Sequence, residues 1–149
     1  MCWGAISAFG KSKLIFLENN CNKEEYIKTL QKANVQKFFR DLPVPNPLLM
    51  EDGATAHTAK VTKDWKAAHG IKVLDGWPGN SPDLNPIENV WGLMKTKISH
   101  ENPTTIAEMK TICQRVWHDL TPDYLATLIA SMPRRIEAVL ENEGGSTKY

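Results

Sequence analysis

The chain has 149 residues, about the length of one domain, of which 42% are hydrophobic and 23% are charged, an ordinary composition for a soluble globular protein. Its 18 basic and 17 acidic side chains leave a net charge of +1. This balance argues against a stand-alone DNA-binding domain, because such domains are usually far more basic.

The first third of the chain is predicted to form a hairpin and then a helix. Two apolar segments flank a turn signal at residues 10–12, which predicts a hairpin over residues 2–17. Asn22 is a suitable N-cap for a helix that begins with two glutamates and runs to about Phe39. The three prolines within residues 43–47 then predict an extended linker.

A strand, a helix and a second strand are predicted over residues 48–75. The apolar run at 48–50 has the pattern of a buried strand, and it ends on the polar triplet at 51–53. A helix is expected from about Thr58 to His69. The next apolar run, at 71–74, is expected to form a strand parallel to the first, because a helix connects the two.

The remaining chain is predicted to form helices over residues 85–143. Asn85 is suited to cap a helix that starts with proline and carries Glu88 in its first turn. Two more helical segments follow, and Pro133 is expected to kink or split the last one. We therefore expect one α/β domain over residues 1–149 with a helical C-terminal part.

The cysteines and the hydropathy pattern exclude several classes of protein. Three widely spaced cysteines without a Cys-x-x-Cys pair argue against a disulfide framework and against a structural zinc site. No apolar run approaches the roughly 18 residues that a membrane span needs, and no signal peptide is visible. We therefore expect a soluble intracellular protein in a reducing compartment.

Asp52 and Glu88 are candidate ligands for divalent metal ions. Asp52 follows a predicted strand, Glu88 lies in the first turn of a predicted helix, and 35 residues lie between them. Carboxylates on rigid ends of this kind suit magnesium, which prefers oxygen ligands, and a pair of such ions can promote phosphodiester chemistry. The alternatives are that Asp52 is an ordinary Asp-Gly turn residue and that Glu88 only stabilises its helix.

Several other polar residues have simple structural interpretations. His57 is either a satisfied histidine near a helix start or a residue at the rim of a site, and Asp83 is expected in a turn or cap. Lys95 and Lys97 are expected on a solvated helix face, from which they could also touch phosphates. The pair Arg134-Arg135 is too small a cluster to indicate a nucleic-acid patch.

Four segments resemble those of the Tc/mariner superfamily of transposases. Residues 81–91, Ser-Pro-Asp-Leu-Asn-Pro-Ile-Glu-Asn-Val-Trp, resemble the signature around the third catalytic carboxylate of that family. Residues 51–59 resemble the segment around the second, which is usually Asp-Asn-Ala followed by His. Residues 3–7 are similar to the strand after the first carboxylate, and residues 144–149 are similar to the C-terminus of Tc-type members.

The resemblance implies a fold, an activity and a set of ligands. It implies an RNase H-like fold of the DDE transposase and integrase type, with Asp, Asp and Glu or Asp around two Mg²⁺ ions, for which Mn²⁺ can substitute. Asp52 would be the second ligand and Glu88 the third. The implied partners are transposon ends and target DNA, the implied location is the nucleus, and no membrane or small-molecule cofactor is implied.

The chain also departs from the family pattern. The family's first Asp and its central strand lie upstream of residues 3–7, as do the helix-turn-helix modules, so we expect weak metal binding and an incomplete active site. Loss of that strand predicts either a weakened, rearranged sheet or a homodimer that supplies the missing pairing. Gly53 replaces the usual Asn, and the interval between the two carboxylates is one residue longer than is common, with the insertion expected at residues 75–79.

Three functions are consistent with these observations. The first is the C-terminal part of a transposase catalytic domain, with metal-dependent DNA strand cleavage and strand transfer, inactive alone. The second is a non-catalytic, transposon-derived module that binds nucleic acid or protein. The third, a stand-alone RNase H-type nuclease, fits less well because the matching motifs are specific to transposases.

Overall fold

A computed structural model describes residues 1–18, 21–79, 81–145 and 147–149. The chain divides into two compact units. The first unit comprises residues 1–5 and 11–81, and the second comprises residues 6–10 and 82–149. The chain thus passes from the first unit to the second and back within its first eleven residues.

The N-terminal segment contains four two-residue strands: β1 (Cys2–Trp3), β2 (Ile6–Ser7), β3 (Gly10–Lys11) and β4 (Ile15–Phe16). β1 pairs antiparallel with β4, and β2 pairs with β3. The chain therefore forms a hairpin, but it turns at residues 8–9 and not at the predicted 10–12. The turn lies earlier because the Ser7 hydroxyl accepts from the Phe9 N–H and donates to the Gly10 carbonyl, each at 3.2 Å.

Two helices follow where the sequence predicted one. α1 (Lys23–Lys32) begins where expected, because the Asn22 side chain accepts from the Glu25 N–H at 2.8 Å. The predicted continuation to Phe39 is wrong, since α2 (Val35–Arg40) is a separate helix. The break falls at Asn34, whose φ of 53° lies in the left-handed region that asparagine tolerates better than most residues.

The next segment contains β5 (Leu48–Leu49), α3 (Thr55–Thr58), α4 (Lys60–Ala68) and β6 (Lys72–Val73). β5 and β6 pair in parallel, as the connecting helix predicted. The predicted start of the helix at Thr58 is wrong, because helical structure already begins at Thr55 and is interrupted at Ala59, whose ψ of 139° is extended. Gly70 ends α4 with a φ of 71°, a conformation that favours glycine.

The core of the first unit lies between α1, α2 and the β5–β6 pair. It consists of six buried side chains: Tyr26, Leu30, Val35, Phe39, Leu49 and Ile71. Within β5, Leu49 is buried while Leu48 is 55% exposed, as expected where successive side chains of a strand point to opposite faces. This alternation anchors the end of β5, three residues before Asp52.

The second unit is mainly helical. After a 3₁₀ turn at Pro82–Leu84 it contains α5 (Ile87–Glu101), α6 (Ile106–Asp119), α7 (Pro122–Ala130) and α8 (Met132–Glu141). α5 packs on α6, where Trp91 and Trp117 stack with ring centroids 5.8 Å apart. The predicted long last helix is split, with Ser131 between α7 and α8 and Pro133 in the first turn of α8.

The strands of the described residues remain in separate two-stranded sheets. Within the first unit, no described strand joins the β1–β4 pair to the β5–β6 pair. The sheet is therefore discontinuous at the place where the resemblance puts a central strand. None of the described helices is long and apolar enough to cross a membrane.

Candidate active site

Asp52 lies just after β5 in an exposed turn. Its side chain is 58% exposed, and its Oδ1 accepts a hydrogen bond from the Ala54 N–H at 3.0 Å. Asp52 is thus a turn residue, as the simpler interpretation proposed. A carboxylate has two oxygens with about four lone pairs, so this single bond leaves it able to bind a metal ion as well.

His57 lies beside Asp52. Its Nδ1 is 2.7 Å from Asp52 Oδ1, but the two atoms are not aligned for a hydrogen bond, and this buried Nδ1 has no hydrogen-bond partner in the described part of the chain. The ring also packs on Tyr26, with centroids 4.1 Å apart. His57 therefore lies within ion-pair distance of the candidate ligand Asp52.

A buried polar network lies behind this turn. Glu51 accepts hydrogen bonds from the Tyr26 hydroxyl at 2.7 Å and from the Lys66 ammonium. Lys66 is only 1% exposed, and it also donates to the His57 carbonyl at 3.2 Å. Burial, and then the neighbouring Glu51 charge, raise the pKa of Tyr26 well above its usual value. The network therefore ties the residue before Asp52 to His57, on the other side of the turn.

Gly53 explains one departure from the family pattern. A Cβ added at Gly53 would lie 2.9 Å from the Cα of Gly79, closer than real contacts of this kind. An asparagine, which the resemblance would place there, cannot fit unless the 75–79 loop moves. Glycine at this position is thus required by the close approach of that loop, and the polar support of an asparagine is lost.

Glu88 is the second residue of α5 and its side chain is exposed. Its N–H donates to the Asn85 carbonyl at 3.0 Å, and the Asn85 side chain accepts from the Ile87 N–H at 3.4 Å. Asn85 therefore bonds at the start of this turn, but it is not the N-cap that was predicted, because α5 begins one residue later. The N-cap position is taken by Pro86, which was predicted as the first helical residue.

Asp83 and Arg135 form an interaction that the sequence did not predict. Arg135 is 2% exposed and donates to the Asp83 carbonyl and the Asn89 side chain, at 2.8 and 2.7 Å. Burial lowers the pKa of its guanidinium. The sequence feature that could have indicated this interaction is the position of Arg135, four residues after Ser131 on the buried face of α8. Charge alone could not separate Arg135 from its exposed neighbour Arg134.

The Asp83 carboxylate is used within the second unit. It accepts hydrogen bonds from the N–H groups of Leu84 and Thr147, at 3.1 and 3.0 Å. Burial raises the pKa of Asp83, but the hydrogen bonds from Thr147 and Leu84 outweigh this effect, and the pKa lies below its usual value. Asp83 is therefore the turn residue that was predicted, with an additional role in holding the C-terminal residues.

The two candidate ligands lie in different units, Asp52 in the first and Glu88 in the second. Both are exposed carboxylates at element ends, which is the donor chemistry that Mg²⁺ and Mn²⁺ accept. Across the described ranges, no group of three or more His, Cys, Asp or Glu side chains is arranged to hold a metal ion. Lys95 and Lys97 are exposed on α5, as predicted for a solvated face.

Residues 1–110 match a family model described as DDE superfamily endonuclease. The matched region contains both Asp52 and Glu88. It ends within α6, so the last two helices lie outside it.

The chain is also similar to nematode transposases. It is 30% identical to the Tc3 transposase of Caenorhabditis elegans over 151 residues, which covers 100% of this chain and 45% of that protein. It is 28% identical to the Tcb2 transposase of Caenorhabditis briggsae, covering 100% of this chain and 54% of that protein. The chain thus spans about half the length of these curated relatives.

Solved structures of the Mos1 mariner transposase share the fold. The Mos1 catalytic domain with Raltegravir and Mn matches with a TM-score of 0.82 and 19% identity, over 95% of this chain and 74% of that one. A Mos1 paired-end complex with Mn matches with a TM-score of 0.81 and 18% identity, over 96% of this chain and 43% of that one. This likeness confirms the predicted RNase H-like fold class.

Proposed function

The chain belongs to the DDE superfamily of endonucleases, and on that premise we propose that it is part of the catalytic domain of a DNA transposase. The proposed activity is metal-dependent cleavage of DNA strands and their transfer to target DNA. The family match and the similarity to Tc-type transposases over the full chain support this proposal.

The observation that carries the proposal is the placement of Asp52 and Glu88. Each lies inside a segment that resembles a family motif and is exposed to solvent, Asp52 in the turn after β5 and Glu88 in the first turn of α5. The polar residues around them, by contrast, are engaged in buried contacts, as with Lys66 near Asp52 and Arg135 near Glu88. Exposed carboxylates held by a buried framework are suited to bind an external ligand.

We propose that Asp52 and Glu88 each ligate a divalent ion, Mg²⁺ with Mn²⁺ as a substitute. Their oxygen donors fit these ions. When bound, such ions activate a water or a 3′ hydroxyl and stabilise the leaving oxygen of the phosphodiester. The chain's own contribution is to hold Asp52 in its turn, with His57 beside it, and Glu88 in the first turn of α5.

The proposed partner is DNA, in the form of transposon ends and target, and the proposed location is the nucleus. Solved Mos1 structures include a complex with the left transposon end and a strand transfer complex, which supports DNA as the partner. A homodimer is a further part of the proposal, because a second copy could pair with the separated sheets. The net charge of +1 predicts weak DNA affinity for the chain by itself.

We also propose that the 149-residue chain binds its ion weakly and does not cut DNA alone. The resemblance assigns it the second and third of the family's three carboxylates, and an exposed carboxylate by itself holds magnesium weakly, because this ion gives up its water shell reluctantly.

The test combines metal titration with a nicking assay. Mn²⁺ binding is followed by calorimetry for the wild type, Asp52→Asn and Glu88→Gln, and we expect each variant to weaken binding about tenfold or more. Asp75→Asn and Glu137→Gln replace exposed acids outside the motifs and serve as matched controls with unchanged affinity. Supercoiled DNA incubated with Mg²⁺ or Mn²⁺ is expected to remain intact.

Two results would contradict the proposal. Equal Mn²⁺ affinity in the wild type and both variants would refute the metal-ligand roles. Nicking that is lost in both variants would refute the inactivity of the chain while supporting the two ligands. Salt-dependent DNA retention that survives both substitutions would instead favour the non-catalytic binding module.

A further inference from the structure

Arg135 holds both ends of the segment that carries Glu88. From α8, its Nη1 donates to the Asp83 carbonyl at 2.8 Å and its Nη2 donates to Asn89 Oδ1 at 2.7 Å. Its Nε donates to the Ser131 hydroxyl at 2.8 Å, which fixes the guanidinium on its own helix. One buried cation therefore connects a residue five positions before Glu88 with the residue directly after it.

The planar guanidinium makes this connection rigid. Its donors leave the group at fixed angles, so the bonds from Nη1 and Nη2 constrain the distance between the Asp83 carbonyl and the Asn89 side chain. Within that span, the Glu88 N–H bonds to the Asn85 carbonyl. The backbone position of Glu88 is therefore set from both sides, while its carboxylate stays exposed.

The C-terminal residues complete the same cluster. The Thr147 N–H donates to Asp83 Oδ2 at 3.0 Å, and the Tyr149 ring lies 4.9 Å from the Arg135 guanidinium carbon, within range of a cation–π contact. These contacts add two C-terminal residues to the cluster around the buried Arg135. They also account for the burial of a residue type that is rarely buried without partners.

We propose that Arg135 is a positioning residue for Glu88, acting through Asp83 and Asn89, and that residues Thr147 and Tyr149 secure it. The inference rests on the proposed function, in which Glu88 binds the metal ion. It assigns the Asp83 and Asn89 positions of the family motif a defined task, which is to receive the arginine that orients the third carboxylate.

A different role for Arg135 is general stabilisation of the second unit by a buried cation. The two roles predict different responses to lysine. Arg135→Lys preserves the positive charge, and general stabilisation is then preserved as well. It removes a clamp that needs three donors in one plane, because an ammonium group cannot reproduce the planar arrangement of the guanidinium donors. The two roles also differ in which residues respond to a substitution. Loss of a clamp accelerates amide exchange at residues 83–90, whereas loss of general stabilisation accelerates it across the whole second unit.

The experiment measures amide hydrogen exchange, which requires no metal. We compare the wild type with Arg135→Lys and with Asn89→Ala, which removes one acceptor at an exposed position and keeps the arginine. We expect exchange at the Glu88 and Asn89 amides to accelerate about tenfold, with less than about twofold change at residues 112–118 of α6. Arg134→Met, at the exposed neighbouring position, is the matched control and is expected to leave exchange unchanged.

Mn²⁺ affinity provides the functional readout. Asn89→Ala is expected to weaken Mn²⁺ binding about threefold to tenfold in the wild-type background and to have no further effect in Glu88→Gln, because the clamp acts through that carboxylate. The same lack of further effect is expected of Arg135→Lys.

Three outcomes overturn the inference. The first is an exchange rate at Glu88 that is unchanged in both variants. The second is an acceleration of exchange that is equally large across α6, and the third is an exchange rate in Arg135→Lys that equals that of the wild type. A failure of the proposed function gives a different result. In that case Glu88→Gln itself leaves Mn²⁺ affinity unchanged, while hydrogen exchange still shows whether Arg135 restrains the Glu88 segment.

Discussion

At the residue scale, the environment of Asp52 depends on side chains that are distant in the sequence. Glu51, next to Asp52, is held by Tyr26 and Lys66, 25 and 15 positions away. His57 belongs to the same network, because its ring packs on Tyr26 and its carbonyl accepts from Lys66. A local turn and a buried ion pair thus act together on one carboxylate.

Lys66→Met tests the buried pair. The substitution leaves the Glu51 carboxylate, whose side chain is 11% exposed, without its cation, which costs about 3–5 kcal/mol of unfolding free energy. Urea denaturation measures the loss. The double variant Glu51→Gln with Lys66→Met should recover a large part of it, because the uncompensated charge is then gone.

Lys60→Met is the matched control for that experiment. Lys60 pairs with Asp64 on the surface, where the side chains are 88% and 61% exposed, and such pairs contribute less than about 1 kcal/mol. An equal loss of stability in the Lys60 and Lys66 variants would show that burial of the Lys66 pair has no energetic consequence.

Gly53→Ala tests the approach of the 75–79 loop. The new methyl group would meet the Gly79 backbone at 2.9 Å, and the loop must move, at a cost of roughly 1 kcal/mol or more. Gly92→Ala is the control, because no atom outside its own helix lies within 4 Å of the new Cβ and alanine favours the helix by roughly 0.5–1 kcal/mol. A gain in urea midpoint for both variants would argue against the close approach.

At the element scale, the helix starts follow local signals. Asn22, Thr105 and Thr121 each cap a helix by accepting from an N–H three residues later. The start of α6 is the most complete example, since the Glu108 side chain also accepts from the Thr105 N–H to form a capping box. Such reciprocal bonds lie within four residues, so they are visible in the sequence.

Thr105→Ala should destabilise α6. Loss of the N-cap oxygen costs about 1 kcal/mol, and urea denaturation followed by circular dichroism measures it. Thr111→Ala is a matched control at an exposed position within the same helix, and a similar loss there would show that the cap has no special role.

The same cap predicts a pH dependence. Hydrogen bonds, first from the Thr104 N–H and then from its hydroxyl and from Thr105, lower the pKa of Glu108 below its ordinary value of 4.5. The stabilisation is therefore present above that unfolded value and is lost as the pH falls through the lower folded value. Amide exchange at the start of α6 should rise over this acidic range, and Glu108→Gln should remove the pH dependence.

At the scale of the whole molecule, the described strands form short, separate pairs. β1–β4 and β5–β6 are separate pairs of two-residue strands, and isolated two-stranded pairs are marginal in water. Among the described residues taken together, the helices contribute most of the buried apolar side chains, with Leu30 and Val35 in the first unit and Val90 and Leu125 in the second.

We therefore predict that the strands exchange faster than the helices. In a monomer, amides of β1 and β5 should be protected less than those of α1 and α5, by about tenfold or more. Hydrogen exchange combined with sedimentation velocity makes the measurement, because dimerisation that pairs the sheets would raise strand protection with concentration. Full protection of β1 and β5 in a proven monomer would contradict this prediction.

The fold and the site were predictable to different degrees. Parallel pairing of β5 and β6 followed from the helix between them, and the cap at Asn22 followed from its neighbours. The break at Asn34 and the turn at residues 8–9 were missed, because both depend on backbone conformations that several residues can adopt.

The sequence by itself determined the family, the two candidate carboxylates and the type of element that carries each. These properties depend on residues close together along the chain, such as the motif at 81–91. Only the tertiary structure revealed that Lys66 supports the Asp52 turn, that Gly79 excludes a side chain at Gly53, and that Arg135 clamps the Glu88 segment. The reason is physical, since burial and hydrogen-bond partners arise from segments that approach in space, and in the last case the partners lie 46 and 52 positions apart.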